Sequence, residues 1–251
     1  MSGHSHWAGI KHKKAVIDAK RGRLWSKLAR NLIMAARDGG GDPAANLSLR
    51  YAIDKAKDAN MPKDTIDKAI KKGTGELGGQ RYEEIVYEGY GPNGVAVMVE
   101  ALTDNRNRTA GELRHAFEKR GGSLGASGCV SWMFKKKGMF SVDSSGTTED
   151  ALMELALEAG ADDVQLDADT FEVTCDPDNY EQVKEALRAK GVAVKNAELS
   201  QVSDTYVVLD EATARKVLAL MEELEDHDDV QNVYANFDIP EDVLAAIEES
   251  E

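Results

Sequence analysis

The chain has 251 residues, 42% of them apolar, with two cysteines and a formal net charge of −14. That length allows two or three domains with real cores. Its apolar runs are too short to span a bilayer: the longest, Val95 to Leu102, is broken by Glu100. Two cysteines make no disulfide framework, and the polar opening MSGHSHWAGIKHKK lacks the apolar core of a secretory signal, so a cytoplasmic protein is expected.

The net charge hides two opposed blocks. Residues 1–75 hold 16 Lys/Arg against 7 Asp/Glu, whereas residues 138–251 hold 6 against 30. A basic head attracts polyanions, and an acidic body keeps them from spreading over the remaining surface.

The head reads as helical. From Arg23 to Arg37 apolar residues recur at Trp25, Leu28, Ala29, Leu32, Ile33 and Ala36, one face at helical spacing, with Arg23, Lys27, Arg30 and Arg37 on another. Gly39-Gly40-Gly41 ends this helix. Asp42-Pro43 reads as an N-cap with proline at the first helical position, so a second helix is expected from there to about Lys57. A third is expected from near Pro62 to Gly73, with Lys63, Lys68, Lys71 and Lys72 outward, followed by a glycine-rich linker to Gly79.

The period then changes to strands. Ile85–Tyr90 and Val95–Leu102 are joined by a Gly91-Pro92-Asn93-Gly94 turn, followed by a helix over about 106–120 and a strand over 130–134. Next comes a complete βαββαβ set. Its strands are expected at 139–142, 164–166, 171–175 and 192–199. Its helices are expected at 149–159, opened by a Thr147/Asp150 capping box, and at 180–190. One more strand (206–209), a helix (211–225) and a strand (230–237) follow, and 239–251 reads as a short acidic tail.

The expected fold class is α+β: a helical N-terminal domain followed by two ferredoxin-like α/β domains, the second inserted in the first. The expected domains are 1–79, 80–137 with 203–238, and the insert 138–202.

Two motif matches fail on context. Gly73-Thr74-Gly75-Glu76-Leu77-Gly78 fits the dinucleotide fingerprint but follows a helix and precedes a strand, the reverse of what a pyrophosphate site needs. Gly121-Gly122-Ser123-Leu124-Gly125 fits a hydrolase nucleophile elbow, but in a helix-to-strand turn with no partner histidine, since His115 and His227 fall on polar surfaces. His4, His6 and His12 have only Asp18 as a local carboxylate, a poor closed metal site. No metal, cofactor or catalytic residue is expected.

The basic arm is the stronger signal. Lys11, His12, Lys13, Lys14, Lys20, Arg21, Arg23 and Lys27 crowd together just after Trp7, and Arg30 continues the stripe. Cations neutralise phosphates and an aromatic ring stacks on an unpaired base, so these are candidate nucleic-acid contacts. Arg106 and Arg108 open a helix directly after a strand, where amides and guanidinium groups can hold a phosphate. The competing reading has Asp104 cap that helix and both arginines pair with acids such as Glu100 and Glu112.

Three long segments carry a resemblance: GHSHWAGIKHKKAVIDAKRGRLWSKL, GGGDPAANLSLRYAIDKAKDANMPKDTIDKAIKKG and YEGYGPNGVAVMVEALTDNRNRTAGELRHAFEKRGGSLGASGCVSWMF. They resemble the YebC family, which includes a mitochondrial translational activator, closely from Gly3 to about Lys137 and more loosely to Phe237. The resemblance implies three domains and a role in gene expression rather than catalysis. Members have been labelled DNA-binding transcriptional regulators, and others act in translation on stalled ribosomes. The expectation is therefore a non-enzymatic nucleic-acid-binding regulator. Its first-choice partners are ribosomal and transfer RNA on the ribosome, in relief of stalled elongation; the alternative is duplex DNA in transcription. No membrane partner is expected. A monomer is expected, whereas the DNA reading predicts a dimer, because paired half-sites mirror two-fold symmetry.

Overall fold

The computed structural model describes residues 18–78, 82–167 and 170–249. It has helices at the N-terminal end followed by two sheet-plus-helix regions, the mixed α/β class expected. The chain forms two compact units. One holds the described residues of Ala15–Cys129 with Arg215–Val233, the other Val130–Ala214 with the described residues of Tyr234–Glu251.

The first unit begins with α1 (Asp18–Gly39), α2 (Leu47–Asp58) and α3 (Lys63–Gly73). Leu28, Leu32 and Ala36 of α1 meet Leu49 and Ala56 of α2 and Ile66 and Ala69 of α3 in one small core. The indole of Trp25 donates to the Ala59 carbonyl at 3.0 Å, tying α1 to the end of α2. Gly73 lies where α3 crosses α1: a Cβ there would sit 2.4 Å from the Ile33 carbonyl oxygen.

The second helix starts later than the Asp42-Pro43 signal suggests. Asp42 instead closes a turn, its carboxylate accepting from the Ala44 amide at 2.9 Å. The true cap is the buried Asn46, which accepts from Leu49 N–H at 3.0 Å and donates to the carbonyls of Ala35 and Gly40. A side chain that bonds three backbone groups outcompetes an isolated proline preference.

The same unit carries a four-stranded sheet in the order β3-β1-β2-β9. β1 (Glu83–Tyr90) and β2 (Ala96–Thr103) form an antiparallel hairpin, with Tyr90 opposite Ala96. The turn between them needs positive φ at Asn93 (59°) and Gly94 (76°). α4 (Arg106–Lys119) follows, then the two-residue β3 (Ser123–Leu124) beside β1. α7 (Glu211–Glu225) leads into β9 (Val230–Ala235), which adds to β2 through Leu102 N–H donating to Asp229 O at 2.8 Å. Val95, Val97 and Val99, together with Leu113, Phe117, Leu220 and Leu224, are fully buried.

The second unit contains β4 (Phe134–Asp143), α5 (Glu149–Glu158), β5 (Ala161–Asp167), β6 (Thr170–Cys175), α6 (Tyr180–Ala189) and β7 (Val194–Ser203). Its sheet runs β5-β6-β4-β7 with antiparallel neighbours, the strand order of a ferredoxin-like βαββαβ set. Phe140, Val142, Phe171 and Val173 meet Leu152, Val183 and Leu187 of the two helices.

Local details differ from the sequence reading. Ser131–Met133 is a 3-10 turn rather than a strand, and the chain enters the long β4 directly at Phe134. Thr148, not Thr147, caps α5. The strand expected at 206–209 shrinks to β8 (Val207–Val208), which pairs in parallel with β10 (Phe237–Asp238) in a separate two-stranded ladder. The acidic tail is in fact a helix, α8 (Glu241–Glu249), because Leu244 and Ile247 lie three apart and both are buried.

Candidate nucleic-acid interface

The cationic stripe of α1 is where the structure departs most from the expected interface. Arg23, Lys27 and Arg30 do share one face, but they meet the end of α7 and the segment after it. Arg23 pairs with Asp226 at 3.0 Å. Lys27 donates to the Glu225 carbonyl at 2.5 Å. Arg30 donates to the Asp228 carbonyl and lies 3.3 Å from the Asp229 carboxylate. Carbonyls at a helix C-terminus carry partial negative charge and favour cations.

Asp229 is the centre of this contact. Its side chain is only 3% exposed. One carboxylate oxygen accepts from Arg108 at 2.6 Å, Thr109 at 2.7 Å and Thr103 at 3.1 Å, while the other faces Arg30. Burial pushes this carboxyl up, but the bonds from Thr109 and Arg108 and the charges of Arg30 and Arg108 outweigh it and hold it below the usual carboxylate range. The Arg108 guanidinium is correspondingly held more firmly protonated, chiefly by its bond to Asp229.

Arg108 is therefore a structural partner of acids, as the competing reading had it, although the principal acid is Asp229 rather than a neighbour in sequence. Asp104 at 3.0 Å and Glu112 at 3.9 Å complete its surroundings. Glu100 instead accepts from Asn232 at 2.8 Å. The helix cap is Asn105, which accepts from Arg108 N–H at 3.1 Å, not Asp104. Arg106 is exposed and among the described residues forms no ion pair; its backbone carbonyl accepts from the Tyr87 hydroxyl at 3.1 Å. The Arg108 guanidinium is thus already held by acids of the protein, and the Arg106 charge acts on the Tyr87 hydroxyl.

An open cleft of about 880 Å³ lies here, lined by Arg23, Arg30, Arg108, Glu112, Glu223 and His227 among others. Its charges are largely matched: Lys119 and Arg120 both hold Glu223, at 2.9 and 2.7 Å. Glu112, His227 and Asp229 place ligand-type atoms within 4.8 Å of one another. These atoms are already committed, however. His227 Nδ1 accepts from Asp229 N–H at 3.1 Å, leaving Nε2 to donate to Glu112 at 2.8 Å, and Asp229 is shared by two guanidinium groups. The set forms an ion-pair network; it offers neither a free cation cage nor an activated nucleophile.

The open positive charge lies on α3. Lys63, Lys68, Lys71 and Lys72 are all exposed, and among the described residues none forms an ion pair. Asp64 and Asp67 lie on the same helix, so the face is net positive but not purely so. Lysines at a helix C-terminus also oppose its negative pole. Trp7, Lys11, His12, Lys13 and Lys14 lie outside the described residues. So do the side chains of Lys20 and Arg21, whose backbone belongs to the first turn of α1.

Two family models match the chain: "TACO1/YebC protein N-terminal domain" over residues 5–76, and "TACO1/YebC second and third domain" over 82–237. A relative from Dictyoglomus turgidum, named "Probable transcriptional regulatory protein", is 54% identical over 98% of this chain and all of its own length. One of the same name from Pelotomaculum thermopropionicum is 55% identical over 95% of this chain and 99% of its own. The crystal structure of a conserved hypothetical protein from Aquifex aeolicus aligns with a TM-score of 0.83 and 52% identity, covering 94% of this chain and 98% of that one. With helical head and both sheet regions matched over their lengths, the chain belongs to the TACO1/YebC family.

Proposed function

We propose that this protein is a non-enzymatic, nucleic-acid-binding regulator of gene expression that grips phosphates with the basic arm and the lysine face of α3. The observation that carries this reading is the cluster Lys63, Lys68, Lys71 and Lys72, exposed and, among the described residues, without carboxylate partners, in a chain of net charge −14. Unpaired cations on a rigid helix release counterions from a phosphate backbone at little ordering cost. Arg23, Lys27, Arg30 and Arg108 are engaged within the protein and contribute less to first contact than their charge suggests.

The relatives' names speak for the transcriptional reading, in which duplex DNA is the target. The translational reading, with ribosomal or transfer RNA as partner, draws on Trp7 within a glycine-punctuated basic arm, which suits unpaired bases better than a regular groove. Either partner is consistent with a cytoplasmic protein, and among the described residues no helix is long and apolar enough to cross a membrane.

Fluorescence anisotropy with labelled duplex DNA and single-stranded RNA tests the core reading. Replacing Lys63, Lys68, Lys71 and Lys72 with glutamine should weaken binding and flatten the salt dependence by about 0.7–0.9 in log–log slope for each lost contact. An unchanged slope refutes the α3 face. Sucrose-gradient sedimentation beside chromatin pull-down then separates the two targets: ribosomal fractions enriched on stalling favour translation, and a defined duplex footprint favours transcription.

A further inference from the structure

The contact between α1 and the segment after α7 is graded along its length. At its inner end Arg30, 17% exposed, meets the buried Asp229. At its outer end Arg23 and Asp226 are 48% and 46% exposed. Exposed pairs contribute little and are screened by salt, whereas a pair with a buried carboxylate resists separation. The outer end is therefore the part a competing polyanion can open.

The acidic side presents a run of oxygens: the Glu225 carbonyl, the Asp226 carboxylate, the Asp228 carbonyl and the Asp229 carboxylate. Together they meet cations placed at i, i+4 and i+7 on one helix, which spreads them over about 10 Å. A phosphodiester strand presents the same kind of feature, a row of anionic oxygens a few ångströms apart. Resting on the nucleic-acid reading above, we propose that residues 225–229 occupy the cationic stripe of α1 in place of a nucleic-acid backbone. A bound strand and this segment then compete for Arg23 and Lys27.

Several consequences follow from the geometry. The segment weakens non-specific binding, because each phosphate reaching the stripe must first displace an internal acceptor. A strand that displaces the outer end gains two more contacts, Arg23 and Lys27. Arg30 stays with Asp229 throughout, so opening needs no separation of the helices from the sheet.

The test measures anisotropy of fluorescein-labelled poly(U) and of a labelled duplex DNA with the full chain at near-physiological salt. Asp226→Asn removes the carboxylate that holds Arg23, and Asp228→Asn removes a neighbouring charge whose carbonyl alone meets Arg30; both acids are exposed, so the melting temperature should barely move. Binding should tighten about three- to tenfold, and the salt slope should steepen by about 0.7–0.9 for each freed cation. Adding Arg23→Gln to that variant should remove most of the gain, a non-additivity that general relief of repulsion does not produce. Asp150→Asn with Glu154→Gln, two exposed acids elsewhere, should change little. The proposal is overturned if the Asp226/Asp228 variant binds like wild type, if the control pair gives an equal gain, or if the gain survives loss of Arg23. If wild type and every variant fail to bind either probe, the functional reading itself fails. A preference for poly(U) or for the duplex identifies which backbone competes.

Discussion

Asp229→Asn is the most informative single change for stability. The substitution keeps the shape and removes the charge that two guanidinium groups and two hydroxyls share. Removing one partner of a buried ion pair costs about 3–5 kcal/mol. Here Arg108 is 43% exposed and its guanidinium can recover water, so the cost falls just below that range, at about 2–3 kcal/mol. For a chain of this size that corresponds to a fall in Tm of roughly 5–10 °C. The effect has a pH signature. The folded pKa of Asp229 is depressed, so its contribution is complete above the unfolded value of about 3.9 and is lost as pH falls through the folded value. Urea melts of wild type and variant should therefore differ by a constant amount near neutrality and converge below about pH 4. A difference under about 0.5 kcal/mol at pH 7, or one that persists unchanged in acid, refutes the assignment of Asp229 as the hub.

Arg106 and Arg108 should separate cleanly. Arg108→Met should lower Tm by several degrees because Asp229 loses its shortest bond, whereas Arg106→Met should leave it within a degree or two; equal effects would contradict the pairing found here. Gly73→Ala should destabilise the helical bundle by about 1–3 kcal/mol, since the new methyl meets the rigid backbone of α1, and a neutral result in thermal melts would show that α1 and α3 can part at no cost. Cys175 is fully buried, with its thiol pushed up to about 11 chiefly by burial, so iodoacetamide at about pH 8 should leave it unmodified until urea is added, as read by peptide mass mapping.

The sequence by itself determined what depends on local periodicity. The 3.6-residue spacing of Leu28, Leu32 and Ala36 makes α1 amphipathic wherever it packs, and the alternation in Phe140, Val142, Phe171 and Val173 marks one sheet face. The βαββαβ order of β4 to β7, the hairpin turn at Asn93-Gly94 and the charge division between head and body were legible for the same reason. Caps were legible only to within a residue or a turn. Asn46 beats Asp42 because its amide also reaches the carbonyls of Ala35 and Gly40, contacts that exist only after α1 and α2 have folded against each other.

What the tertiary structure decided is the use of the charges. Arg23, Lys27 and Arg30 read as a phosphate-binding stripe because sequence shows spacing but not what lies opposite. Their acceptors at 225–229 come from nearly two hundred residues further along the chain. Arg108 looked like half of an anion pocket, and only the arrival of β9 beside β2 brings Asp229 against it. No local pattern around Asp229 distinguishes it from Asp226 or Asp228; it alone of the three is buried, and burial is a property of packing. The lysines of α3 are exposed and form no ion pair among the described residues. A residue's charge is written in the sequence, but whether that charge faces a partner or the protein's own backbone depends on contacts between distant segments.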